Sequence, residues 1–271
     1  MLPPQIIVQA NDISDHIPSA DYHLFKERTT RYCVVIPVIN ENGRLTMQIR
    51  RMHELGLPRL ADIIIADGGS HDGSTDHASL KSCGVRALLV IKHAGGQSAQ
   101  LRAGYAYCLS EGYEGVITVD GNNKDSIESL PLFISALDKG MDYVQGSRFQ
   151  HGGEGINTPF LRTMSIRLIH APLVSFAARK WLTDTTNGYR AYSRRYLLHP
   201  QVKPFRTIFR TYELNHYLSV RASRIGLSVM EVPVTRKYPR NGPVPTKISP
   251  VMGKIAFLKM LFLLLAGWYN P

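Results

Sequence analysis

The 271-residue chain is short of acid: 21 aspartates and glutamates face 32 lysines and arginines, leaving a formal net charge of +11. Such a surface attracts anions, and nucleotide diphosphates, lipid phosphates, anionic membrane and nucleic acid all qualify. Cysteine is scarce. Cys33, Cys83 and Cys108 are odd in number, lie in or beside apolar segments and lack the paired spacing of a zinc site or a redox dithiol. They read as reduced, buried thiols, which suits a cytosolic or cytosol-facing protein. A basic start followed by an apolar stretch is missing too: Met1-Leu2-Pro3-Pro4 is soon followed by Asp12 and Asp15, so no export signal is expected. The aromatic residues do not interleave with basic ones, which sets nucleic acid aside as a partner. The ten histidines show no metal-ligand spacing.

No apolar run reaches the roughly 20 residues that span a bilayer. The longest, Ile255 to Tyr269, is interrupted by Lys259. After Glu231 there is no acidic residue, whereas Arg236, Lys237, Arg240, Lys247, Lys254 and Lys259 are all basic. A basic stretch leading into an apolar helix with Trp268 and Tyr269 at its end reads as an anchor on the membrane surface. A helix packed on the core, or in a homo-oligomer, is the alternative.

What the chain does have is the make-up of a globular protein, with 44% hydrophobic and 20% charged residues, and length for one large domain. Apolar runs at Tyr32 to Val38, Ile63 to Ala66, Val85 to Ile91, Gly115 to Val119 and Tyr143 to Val144 predict strands. Leu45 to Leu55, Gln97 to Leu109 and Ile127 to Leu137 predict helices between them. Such alternation implies an α/β fold, a mainly parallel central sheet flanked by helices. Beyond it, helices are expected near Phe160 to Trp181 and Tyr212 to Ile225, with strands ending near Tyr192 and at Ser228 to Val234. The expected organisation is an N-terminal arm over 1–30, a catalytic domain over 31–235, a basic Pro/Gly-rich flap over 236–250 and an apolar C-terminal helix over 251–271.

In a parallel sheet ligands bind beyond the carboxyl ends of the strands. The first strand ends Pro37-Val38-Ile39-Asn40-Glu41, where proline stops the ladder and the Asn-Glu pair offers hydrogen-bonding groups. The second ends Asp67-Gly68-Gly69-Ser70, whose glycines allow a tight turn and whose aspartate can accept from a base or ribose. Gly95-Gly96-Gln97 opens a helix carrying Arg102-Ala103-Gly104. Val119-Asp120-Gly121-Asn122 ends the fourth strand, Gly146-Ser147-Arg148 the next, and Asp184-Thr185-Thr186-Asn187-Gly188-Tyr189-Arg190-Ala191-Tyr192 and Glu231-Val232-Pro233-Val234 follow.

In this order, over roughly residues 32 to 250, these pieces resemble family 2 glycosyltransferases, closest to the branch that charges polyprenyl phosphates, as dolichol-phosphate mannosyltransferase does. The resemblance implies the GT-A (nucleotide-diphospho-sugar transferase) fold. It places Pro37, Asn40, Glu41, Asp67, Gly68, Gln97, Asp120, Gly121, Asn122, Arg236 and Lys247 around the nucleotide-sugar, and Asp120, Lys124, Arg148, Arg162 and Asp184 at the chemistry. The branch usually reads Asp-Ala-Asp-x-Gln where this chain has Asp120-Gly121-Asn122-Asn123-Lys124, so an amide replaces one carboxylate and an ammonium replaces the glutamine. Two readings stay open. In one, Asp120 and Asp125, assisted by Asn122, hold Mg²⁺ or Mn²⁺; in the other, Lys124 takes over part of the metal's task at the leaving diphosphate.

Arg148, Arg162, Arg236 and Lys247 fall at or near the branch's phosphate-binding basic positions. A lipid phosphate acceptor is already anionic and needs cations rather than a base. A glycan hydroxyl would need a carboxylate to take its proton, with Asp184 first and Glu213 second. Asp184 has a structural reading as well, capping backbone N–H groups or pairing with Arg190. The flap, with Pro239, Gly242, Pro243, Pro245 and Pro250, is expected to close over the site. The implied activity is inverting transfer of a sugar from UDP or GDP to a polyprenyl phosphate at the cytosolic membrane face. A glycan hydroxyl acceptor, a nucleotidyltransferase and an inactive nucleotide-sugar binding protein are the rivals.

Overall fold

The computed structural model describes residues 17–92, 96–240 and 252–271, with side chains in the last segment from 258 onward. Eight strands form the main sheet: β1 (Ala20–Leu24), β2 (Tyr32–Val38), β3 (Asp62–Asp67), β4 (Val85–Ile91), β5 (Gly115–Thr118), β6 (Tyr143–Ser147), β8 (Arg190–Ser193) and β9 (Val229–Pro233). Their spatial order is β1-β4-β3-β2-β5-β8-β6-β9. The block β4-β3-β2-β5 is parallel throughout, as is β6-β9, while β1 and β8 run antiparallel to their neighbours. Two short strands, β7 (Glu154–Ile156) and β10 (Thr235–Lys237), pair in parallel as a separate ribbon.

Every residue of β2 and β3 is buried, because helices cover both faces of the parallel block. Successive side chains point to opposite faces. Cys33 and Val35 join a core with Tyr105, Tyr192, Leu214 and Leu218, under α3 (Gln97–Ser110) and α8 (Glu213–Arg224). Val34, Ile36 and Val38 join another with Leu45, Ile49 and Phe133, under α1 (Arg44–Glu54) and α4 (Leu130–Asp138). Short helices α2 (His77–Ser82) and α7 (Arg194–Leu197) follow β3 and β8. Helical turns run from Phe160 to Ala178 as α5 (Phe160–Ser165), a π-helical segment 166–170 and α6 (Ala171–Ala178). The last helix, α9 (Met252–Leu265), seats Met260, Leu261 and Leu264 in the core cluster of α3 and α8, and Tyr269 follows them.

The chain runs from β2 outward to β3 and β4, then returns to β5 on the other side of β2. The carboxyl ends of β2 and β5 therefore flank a topological switch point, where a crevice opens in α/β sheets. Two boundaries differ from the sequence expectation. Residues 20–24 of the expected arm form the edge strand β1, paired with β4 from Ala20–Ile91 to Leu24–Ala87. Arg236 and Lys237, assigned to the flap, lie in β10; residues 241–250 of that flap lie outside the described residues. No helix among the described residues is long and apolar enough to cross a membrane.

Candidate functional site

The loops after β2 and β3 are fastened to each other. Asn40 turns the chain at φ 48, a conformation asparagine tolerates better than most residues. Its backbone N–H donates to Ser70 Oγ at 2.9 Å, and its Oδ1 accepts from His71 N–H at 3.0 Å. The Ser70 hydroxyl donates to Asp67 Oδ1 at 2.6 Å, so Asn40 and Asp67 belong to one cluster. Glu41 N–H donates to Ser74 Oγ at 3.0 Å, and the Glu41 carboxylate accepts from Arg44 Nε at 2.9 Å. Asp67 also accepts from Ser70 N–H and from the Thr75 hydroxyl, which keeps its carboxylate on its own loop. Pro37 pairs with Ala66 inside the ladder. Gly68 N–H donates to Val38 O at 2.8 Å. A Cβ at Gly68 would stand 2.6 Å from Gln100 Nε2, so the Gln100 amide occupies the space that glycine leaves.

Asp120 sits two residues past β5, beside β2. Gln97, the first residue of α3, donates to its Oδ1 at 3.3 Å, and Asn122 Nδ2 to its Oδ2 at 3.4 Å. Gly121 packs against Val38, Ile36 and the Pro37 carbonyl. Gly188 leaves room for the carboxylate, since a Cβ there would lie 2.6 Å from Asp120 Oδ1. Asn40, Asp67 and Asp120 thus stand at one rim of the sheet.

The turn after Asp120 is built by other elements. Asn123, at φ 55, donates its N–H to Gln48 Oε1 at 2.8 Å, and Arg51 of α1 donates to Asn123 Oδ1 and the Asp125 carbonyl, both at 3.1 Å. Lys124 O accepts from Lys237 N–H, and Ser126 N–H donates to Thr235 O, each at 2.8 Å. This pairing carries Arg236 into the site, where it donates to Asp120 Oδ2 at 2.9 Å and Asp125 Oδ2 at 2.5 Å. Burial alone would raise Asp120, but the Arg236 charge and hydrogen bond hold it below the usual carboxylate range. For Asp125 burial wins and raises it despite the same guanidinium. Lys124 is pushed down to about 8 by burial and by Arg236.

These residues do not fit a divalent cation. A cation bridging a diphosphate wants several hard, preferably anionic oxygens. Asp125, expected as a ligand, is fully buried and turned to Arg236. Asn122 is neutral, and its Oδ1 accepts from Lys124 N–H at 3.3 Å. Asp120 is the remaining carboxylate and already carries Arg236. Among the described residues no group of three His, Cys, Asp or Glu side chains is placed to hold a metal.

The cations gather on one ring. Lys124 Nζ, Arg162 Cζ and Arg236 Cζ lie 5.5, 5.4 and 5.9 Å from the centroid of Tyr238, and Arg148 Nη1 is 3.5 Å from its hydroxyl. Tyr238 is buried, whereas Arg162 is exposed and stacks over its ring. Arg148 and Asp184 form a doubly bonded pair at 2.6 and 2.9 Å, with side chains 1% and 0% exposed. Thr186 Oγ1 accepts from Arg148 Nη2 at 2.7 Å.

Asp184 therefore departs from the role of a base. Burial works to raise it, but Arg148 prevails and holds the carboxyl below the usual range. Its partner is Arg148 rather than Arg190, which is spent on the carbonyls of Asn187, Thr185 and Asn215. Glu213, the second candidate, accepts from the N–H groups of Arg210 and Thr211 and from the Thr211 hydroxyl, which ties it to the turn that leads into α8. Lys247 and Gly95 lie outside the described residues.

Sequence reasoning passed over Tyr238 and Gly188 as site residues. Tyr238 carried one signal, its position two residues after Arg236 at the end of a basic strand. Gly188 lay inside the Asp184 to Tyr192 stretch, but the reason for a glycine there is set by a side chain 68 residues away.

The chain matches the model of the family described as Glycosyl transferase family 2 over residues 33–199. It is 29% identical over 210 residues to the polyprenol monophosphomannose synthase of Mycolicibacterium smegmatis, covering 76% of this chain and 77% of that one. It is 30% identical over 207 residues to the dolichyl-phosphate hexose transferase of Haloferax volcanii, covering 74% and 84%. Among solved structures, glucosyl-3-phosphoglycerate synthase from Mycobacterium tuberculosis aligns with TM-score 0.63 at 17% identity, over 87% of this chain and 79% of that one. The same synthase solved with Mn²⁺, uridine diphosphate and phosphoglyceric acid gives TM-score 0.60 at 18% identity, over 87% and 76%. That likeness carries the fold, GT-A, and the matched span takes in the β2, β3 and β5 loops around Asp120, so the chain belongs to glycosyl transferase family 2 and is a glycosyltransferase.

Proposed function

We propose that the chain moves a sugar from a UDP- or GDP-linked donor to a polyprenyl phosphate, by in-line displacement with inversion. The observation that carries this reading is the gathering of Lys124, Arg148, Arg162 and Arg236 around Tyr238. Asn40, Glu41, Asp67, Gly68, Gln97 and Asp120 shape the donor end of the same rim, and Arg236 joins the two ends. A phosphate acceptor arrives ionised, so the site has to hold it and align it opposite the departing diphosphate. Fixed guanidinium groups do that in a setting where their charge is only weakly screened.

A hydroxyl acceptor would need a free carboxylate, and both that the sequence offers for the task are engaged: Asp184 by Arg148, Glu213 by the start of α8. The relatives named for polyprenol and dolichyl phosphates support the same acceptor class. Docking at the cytosolic membrane face fits the exposed Phe160, Leu161, Phe176 and Trp181 near α5 and α6, and Phe262 and Trp268 at the C-terminus. Their apolar and interfacial side chains suit a headgroup boundary.

The test is the chemistry of the product made from radiolabelled donor and polyprenyl phosphate. Label that extracts into organic solvent and is released by mild acid is expected. An acid-resistant glycoside would remove the phosphate acceptor, and release of pyrophosphate would replace the activity with nucleotidyl transfer.

A further inference from the structure

We propose that Arg236 and Lys124 neutralise the donor diphosphate in place of a divalent cation, so that the chain binds its nucleotide without metal. This rests on reading the rim as the donor site. A dication entering at Asp120 would stand beside a guanidinium 2.9 Å from that same carboxylate. It would also meet the Lys124 side chain, drawn with Arg236 to the same Tyr238 ring. The second carboxylate cannot turn to help, because Asp125 is fully buried and holds Arg236 at 2.5 Å.

The cations are held in place by backbone. Lys124 O accepts from Lys237 N–H, and Asp125 bridges to Arg236 as an antiparallel pair, so the residues on either side of the site are locked across a ladder. Arg236 is a fork of donors matched to paired oxygens. Asp120 and Asp125 take one bond each, so the remaining N–H donors of the guanidinium can meet diphosphate oxygens while Asp120 stays paired, and Lys124 adds a point charge without a fixed direction. Asn122 fits this arrangement better than aspartate would: its amide donates to Asp120 and its carbonyl accepts from Lys124 N–H, with no further negative charge to draw in a metal.

The experiment is calorimetric titration of UDP and of GDP into metal-stripped protein, in EDTA and again in Mn²⁺, for the wild type and for a variant carrying Asn122→Asp with Lys124→Gln. Circular dichroism checks that the variant is folded. In the wild type the preferred nucleotide is expected to bind with affinities in the two buffers within about threefold of each other. The double variant is expected to bind weakly in EDTA and about tenfold or more tightly in Mn²⁺. A wild type that needs Mn²⁺ overturns the proposal, and a double variant as indifferent to metal as the wild type overturns the role given to residues 122 and 124. Failure of both nucleotides to bind in either buffer would instead strike at the donor-site reading.

Discussion

Arg236 stands between Asp120 and Asp125, donating to one Oδ2 of each at 2.9 and 2.5 Å. The three residues come from the end of β5, the turn after it and β10, 111 and 116 residues apart along the chain. One side chain thus fixes the rim of the site and supplies a cation to it. Replacing it tests both tasks. Arg236→Met leaves Asp125 buried without its partner, and removing one member of a buried pair costs about 3–5 kcal/mol. The urea midpoint is expected to fall accordingly. Arg236→Lys, which cannot fork between two carboxylates, is expected to recover only part of that loss and little of the donor affinity.

Asp184→Asn separates a base from a structural anchor. The charge that Arg148 faces would vanish, leaving a buried guanidinium, so stability is expected to drop by about 3–5 kcal/mol. The pH profile of the remaining activity is expected to keep its shape. Loss of an acidic limb from the profile, with stability unchanged, would return Asp184 to the role of a base.

Gly188→Ala places a methyl 2.6 Å from Asp120 Oδ1. The carboxylate has to move, so activity is expected to fall more than about tenfold while the overpacking costs about 1–3 kcal/mol of stability. Near-UV circular dichroism and a thermal melt would check that the fold survives. Wild-type turnover in the variant would mean that the placement of Asp120 does not matter.

Acid should unfold the chain in a predictable window. Asp62, Asp142 and Asp184 all sit below the usual carboxylate range. In each, burial pushes the other way and is overcome: by Thr29 and Tyr113 at Asp62, by Arg195, Ser193 and Ser228 at Asp142, and by Arg148 at Asp184. A group lowered on folding adds stability above its unfolded value, near 3.9, and loses it as pH falls through the lowered one. Asp125, raised by burial, works in the opposite sense and regains stability on protonation. Asp120, held low by Arg236 against its burial, joins the first group. The buried imidazoles of His170, lowered to about 4, and His216, lowered as well, lose stability as pH drops below about 6.5. Urea midpoints are therefore expected to decline from about pH 6.5 and to fall most steeply below about 4. A midpoint that rises on acidification through that window would contradict the assignment of these groups.

Much of this architecture could be read from the sequence, for reasons particular elements make plain. Strands β2 and β4 were marked residue for residue, because each is an apolar run buried on both faces and ended by polar or glycine residues. Edge strand β1 was missed: Ala20–Leu24 is only half-buried and mixes Asp21 and His23 with Tyr22, so nothing distinguishes it from a loop until β4 pairs with it. Helix α2, six residues long, is too short to show a period. At the site, Asn40, Asp67 and Asp120 were found by their positions at strand ends. Their partners were not. That Asp125 would turn to Arg236, or Asp184 to Arg148, depends on pairings across 111 and 36 residues that no local pattern records.

The most direct test of the whole account compares acceptors. The gathering of cations at Tyr238 is assigned to an anionic acceptor, so initial rates with a polyprenyl phosphate are expected to exceed those with the uncharged polyprenol of the same length by more than about a hundredfold, and Arg162→Ala should erase most of that difference. Equal rates with the two acceptors, or a preference for a glycan hydroxyl, would contradict it.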